Sequence, residues 1–75
     1  MTPPLPAVPP RKAVRALERA GWRLDRVKGS HHVFIHPDRR NRVVVPMHRQ
    51  DLAKGTLNQI IAASGLTREE FLGLL

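Results

Sequence analysis

Lys28-Gly29-Ser30-His31-His32-Val33-Phe34-Ile35-His36-Pro37-Asp38-Arg39-Arg40-Asn41-Arg42-Val43-Val44-Val45-Pro46 is the stretch that decides the fold of this 75-residue chain. Lys28-Gly29-Ser30 reads as a turn. His31 to His36 alternates as a strand does, with Val33 and Ile35 on one face and His32, Phe34 and His36 on the other. Pro37-Asp38-Arg39-Arg40-Asn41 reads as a reverse turn, because proline presets φ and Asp and Asn bond locally to the backbone. Arg42 to Val45 is β-branched and forms a further strand, closed by Pro46. Upstream, Trp22 to Val27 alternates less regularly and supplies the first strand of an antiparallel meander.

On either side of the meander the period changes to that of a helix. Ala13, Val14, Leu17 and Ala20 recur at spacings of three and four, opposite Arg11, Arg15, Glu18 and Arg19, so residues 11–20 should form an amphipathic helix. Pro10 suits its first turn and Gly21 the left-handed position past its end. Downstream, Thr56 with Gln59 has the spacing of a capping box for a helix with Leu57, Ile60 and Ile61 as its buried stripe, ended by Gly65. Thr67 with Glu70 repeats the box for a short last helix, and Leu66 and Phe71 stand where a hydrophobic staple would. The order is helix, three strands, helix, short helix. Such a sheet needs helices on one face to bury its apolar side, leaving the other face open to a partner.

Five of the seven prolines fall in residues 1–10, which carry no charged side chain. They favour an extended arm, read as disordered, ahead of a single folded domain at residues 11–75. The arm has neither the basic start nor the unbroken apolar run of a signal peptide, and no segment approaches the roughly 20 apolar residues of a membrane span. A cytoplasmic protein with no membrane association is expected. A core built from about 65 residues is marginal, at roughly 3–5 kcal/mol, which argues for a stabilising partner.

Thirteen Lys and Arg against six Asp and Glu give a net charge of +7. Residues 1–49 hold eleven of those cations and three of the acids, so the positive charge belongs to the first helix, the strands and their turns. A polyanion or an acidic protein fits such a surface. There is no cysteine, which removes thiolate nucleophiles, disulfides and sulfur-bound zinc. With three aromatic residues, recognition by several stacked bases is not expected.

His31, His32, His36 and His48 fall within eighteen residues. Histidine takes and returns a proton near neutral pH, which suits general acid–base work. The first two directly follow Lys28-Gly29-Ser30, where a glycine admits a phosphate close to the backbone and Ser and Lys offer a donor and a cation. These are the parts of a metal-free phosphodiester-cleaving site. RNA brings its own nucleophile, the 2′-hydroxyl, so the protein need only move protons and stabilise the phosphorane. DNA lacks that hydroxyl and would be inert. No metal is expected: His31 and His36 would project to opposite faces of a strand, and no carboxylate pair accompanies them. Nothing resembles a nucleotide-binding loop, and no cofactor is expected.

Gly21-Trp22, then Lys28-Gly29-Ser30-His31-His32-Val33-Phe34 with His36-Pro37, then Val43-Val44-Val45-Pro46-Met47-His48, resemble the HicA-type toxins of bacterial toxin–antitoxin pairs. Lys54-Gly55-Thr56-Leu57-Asn58-Gln59-Ile60-Ile61 and Gly65-Leu66-Thr67-Arg68-Glu69-Glu70-Phe71 continue the likeness, which spans residues 11–75. The resemblance implies an α+β fold like that of the double-stranded-RNA-binding domain, α-β-β-β-α, with a three-stranded antiparallel sheet and helices on one face. It implies ribosome-independent endonucleolytic cleavage of single-stranded mRNA, and a HicB-type antitoxin that covers the active site. It also implies promoter binding through the antitoxin, hence no direct DNA binding by the toxin alone. The family's catalytic histidine follows the Gly-Ser pair, at His31 here, with His32 the alternate. Lys28, Gly29, Ser30, His32, Arg26 and Arg42 are the expected RNA contacts.

Two other functions stay in view. A non-catalytic RNA-binding module of the same fold would hold duplex RNA, but readers of duplexes cluster lysines at the start of their last long helix. Here that start has only Lys54, beside Asp51. A purely structural interaction protein would use the basic face for an acidic partner and show no affinity for RNA.

Overall fold

The computed structural model describes residues 4–75; the outermost part of the proline arm lies outside the described residues. The elements are α1 (Pro10–Arg19), β1 (Arg23–Lys28), β2 (His31–His36), β3 (Arg39–Pro46), α2 (Lys54–Ser64) and α3 (Arg68–Gly73). The strands form one antiparallel sheet in the order β1-β2-β3. This is the α-β-β-β-α layout with a short last helix.

The ladder shows which face of β2 is covered. Phe34 lies opposite Leu24 and Val43, and His32 opposite Val27 and Val45. Phe34, Val43 and Val45 are almost wholly buried. They join Ala13, Ala16 and Leu17 of α1, Leu57, Ile60 and Ile61 of α2, and Phe71 of α3 in a single cluster. His32, Phe34 and His36 therefore face the helices, and His31, Val33 and Ile35 face the open side. The helices cover β3 more than β1, so Leu24 and Val27 on the outer strand stay about half exposed.

Local chemistry accounts for the ends of the elements. Pro10 opens α1, where its missing N–H costs no bond. Gly21 follows at φ +97°, and a Cβ there would press on the His36 ring. That ring is fixed twice: Nε2–H donates to the Ala20 carbonyl (3.1 Å), and Nδ1 accepts from the Asp38 N–H (3.1 Å). Trp22, buried, meets it edge-on with centroids 5.2 Å apart. Gly21-Trp22 and His36-Pro37 thus make one clamp, tying the end of α1 to the β2–β3 turn. The Thr67–Glu70 box forms in full, with Glu70 N–H donating to Thr67 Oγ1 (3.1 Å) and Thr67 N–H to Glu70 Oε1 (2.8 Å).

Two expectations are corrected. The Thr56–Gln59 box does not form: α2 begins earlier, at Lys54, with Ala53 as its unbonded cap. The Ala53 carbonyl already accepts the Leu57 N–H (2.8 Å), which places Thr56 inside the first turn. The turn expected over residues 37–41 is also shorter, because a register shift after Phe34 lets Arg39 pair with His36. Strand β3 then starts three residues before Arg42.

Residues 4–9 run extended, as their prolines dictate. Val8 nonetheless lies in the core at 1% exposure, Leu5 packs against it, and the Val8 carbonyl accepts the Leu52 N–H at 2.8 Å. Val8→Ala should therefore lower stability by about 2 kcal/mol, from two lost methyl groups and the cavity they leave. Pro6→Ala, at an exposed position, should leave it unchanged. Urea denaturation of the two variants checks this; equal midpoints would show that the arm contributes nothing.

Candidate functional site

The sheet end where β1 turns into β2 gathers the chemistry. Gly29 has φ +59°, the left-handed first position that a two-residue II′ hairpin loop needs. Nothing lies within 4 Å of where its Cβ would be, so the backbone of this loop is open to a ligand. Lys28 and His31 lie opposite each other across β1 and β2, and Pro46 of β3 flanks His31 on its other side. His31 is exposed on the open face, and among the described residues no hydrogen bond holds its ring. Arg26, opposite Val33, shares that face. A bulge at Asp25 turns its carboxylate toward Arg26 (3.6 Å) and Arg42 (3.9 Å), which ties those two cations to one spot. Arg26 and Arg42 remain more than half exposed, so these exposed ion pairs contribute little to stability.

His32, one residue on, faces the other way. It is half-buried on the helix side, and its Nδ1 is shielded from solvent with no hydrogen-bond partner among the described residues. The ring's Nε2 is the nitrogen left accessible. The expected site residues thus divide: Lys28, Gly29, Ser30, His31 and His32 lie at one end of the sheet, His32 on its helix side, while Arg26 and Arg42 extend the cationic surface along its open face. His36 stands at the opposite end, with both ring nitrogens committed to the clamp.

Sequence reasoning did not place His48 in the site. Beyond Pro46 the chain continues β3 for one more bond, Met47 N–H to the Ser30 carbonyl at 2.7 Å, and His48 Nε2 then lies 3.2 Å from Ser30 Oγ. His48 borders two shallow clefts, one of about 240 Å³ shared with Pro46 and Thr56, the other of about 280 Å³ shared with Arg11 and Arg49. Its repetition of a chemistry-bearing residue type, and its place at the end of the Val43-Val44-Val45-Pro46-Met47-His48 segment that carries the resemblance, marked it in the sequence. Among the described residues no three His, Asp or Glu side chains gather as metal ligands, and no helix is long and apolar enough to cross a membrane.

This arrangement sets cations, an open glycine loop and imidazoles close together, parts suited to phosphodiester chemistry. Comparison with known proteins agrees with the fold and places the chain. No curated protein matches it significantly. The family model described as the HicA toxin of bacterial toxin–antitoxin systems matches residues 10–66, from the start of α1 to just beyond α2. With three-quarters of its length matched and the sheet, glycine loop and histidines in place, the chain belongs to the HicA toxin family, as the toxin of a pair whose implied partner is a HicB-type antitoxin.

Proposed function

We propose that this toxin is a metal-independent endoribonuclease that cleaves single-stranded mRNA in the cytoplasm and so blocks translation. The observation that carries the reading is the placement of two histidines, one on each face, with a lysine and an open glycine loop at one end of a basic sheet. Family membership supplies the toxin role, and the resemblance supplies mRNA as substrate. A histidine takes the proton of the 2′-hydroxyl, the 2′-oxygen attacks phosphorus, and Lys28 with the neighbouring arginines offsets the charge of the phosphorane. The products are a 2′,3′-cyclic phosphate and a free 5′-hydroxyl. The antitoxin acts by covering this end of the sheet.

The resemblance puts the base at His31. A specific observation supports His32 instead. General bases work best when their orientation is set in advance, and His32 is half-buried while the His31 ring is exposed. A shielded ring nitrogen without a partner is unfavourable and calls for an explanation, of which a catalytic role is one. We take His32 Nε2 as the base, with His31 and Lys28 meeting the phosphate.

Incubating the purified toxin with end-labelled single-stranded RNA and DNA of one sequence, with chelator present, tests the activity. RNA should be cut and DNA left intact. RNA that is bound but never cut would instead identify the non-catalytic module, and no affinity for RNA would identify a purely structural partner.

A further inference from the structure

We infer that His48 is the general acid of this reaction and that Ser30 positions it. The inference rests on the ribonuclease reading and adds a second proton-transfer residue to it. Transesterification leaves a 5′-alkoxide, a poor leaving group unless a proton reaches O5′ as the P–O5′ bond breaks. The base at the start of β2 does not meet that need at the same moment, because it is then taking a proton from O2′.

With His31 assigned to the phosphate, His48 is the histidine left to serve. His36 is committed to the clamp at the far end of the sheet. His48 is exposed and borders both clefts at the near end. The bond from Met47 N–H to the Ser30 carbonyl continues β3 alongside the residue that immediately precedes His31 and His32. The base and His48 therefore stand at the ends of adjacent strands, next to the open glycine loop.

The contact with Ser30 settles which nitrogen acts. In the protonated ring, Nε2–H donates to Ser30 Oγ (3.2 Å) and Nδ1–H points away to the substrate. The base removes the 2′-hydroxyl proton, the O2′–P bond forms, the P–O5′ bond breaks, and the Nδ1 proton passes to O5′. His48 is left neutral with Nε2–H still on Ser30. Water then takes the proton from the base and returns one to Nδ1, so no other reactant is consumed.

An RNA carrying sulfur in place of the 5′-bridging oxygen separates this role from others, because a thiolate leaves without a proton. The wild type, His48→Ala, His48→Gln, Ser30→Ala and Ser30→Thr are compared on the ordinary and the sulfur linkage. Both positions are exposed, so the variants should melt with the wild type. Both His48 variants should lose about 10²–10⁴-fold on the oxygen linkage and less than about tenfold on sulfur. Ser30→Ala should lose about tenfold on oxygen alone, and Ser30→Thr should regain it. Equal losses on both linkages would make His48 a phosphate contact, and no loss on either would remove it from the reaction; each overturns the inference while leaving the ribonuclease reading intact. A wild type that cuts neither linkage overturns that reading and this inference with it.

Discussion

His32→Ala should slow RNA cleavage by about 10²–10⁴-fold, the usual contribution of a positioned general base. His31→Ala should slow it by about tenfold or less, in keeping with one exposed contact to a phosphate. The two residues are neighbours in sequence, yet the pleat sends them to opposite faces of β2. One alanine removes a half-buried ring from the helix side, the other an exposed ring from the open side. Initial rates on a labelled RNA, with urea denaturation of each variant as the control for folding, distinguish them. A larger loss at His31 would return the base to the position the resemblance gives and would leave the unpartnered Nδ1 of His32 without a functional explanation.

Phe34→Ala should leave the chain largely unfolded at 25 °C. Removing a buried phenyl ring costs about 3–5 kcal/mol, and a core of this size supplies roughly that much in total. Phe34 is 1% exposed and sits in the middle of the central strand, opposite Leu24 and Val43. Ile35→Ala, on the open face at 37% exposure, should change stability by about 0.5 kcal/mol or less. Far-UV circular dichroism with urea titration reads both. A cooperative Phe34→Ala transition close to that of the wild type would contradict a single core centred on β2. The antitoxin, binding the folded toxin, should raise the apparent stability of either variant by mass action.

The parts of the fold legible in the sequence are those fixed by neighbours along the chain. The stripe of Ala13 and Leu17, the proline at the start of α1 and Gly21 past its end need only local geometry, and all appear as expected. So does the box of Thr67 and Glu70. Thr56 and Gln59 carry an equally good signature, but the pattern does not say whether Lys54 and Gly55 join the helix, and they do. The alternation of β2 separated its two faces correctly. Which face is buried was decided across the sheet, by Phe34 meeting Val43 on β3.

The arm shows a similar limit. Proline fixes an extended backbone, and that is what residues 4–9 adopt, but extension does not tell whether a side chain such as Val8 finds the core. In the candidate site, Lys28, Gly29, Ser30, His31 and His32 are contiguous and could be read together. His48 could not, because it lies eighteen positions beyond Ser30 and only the register of β2 on β3, continued by one bond past Pro46, brings the two together. The orientation of the two adjacent histidines likewise came from the sheet.

The central claim is that the RNA's own 2′-hydroxyl is the nucleophile and that histidine, without metal, moves its proton. The most direct test is a single 2′-O-methyl group placed at the mapped cleavage site of an otherwise unmodified RNA, incubated with wild-type toxin in chelator. Cleavage should stop at that bond and continue elsewhere, with every remaining product ending in a 2′,3′-cyclic phosphate opposite a 5′-hydroxyl. Undiminished cleavage at the methylated position, or products bearing a 5′-phosphate, would show that water attacks instead and would contradict the account.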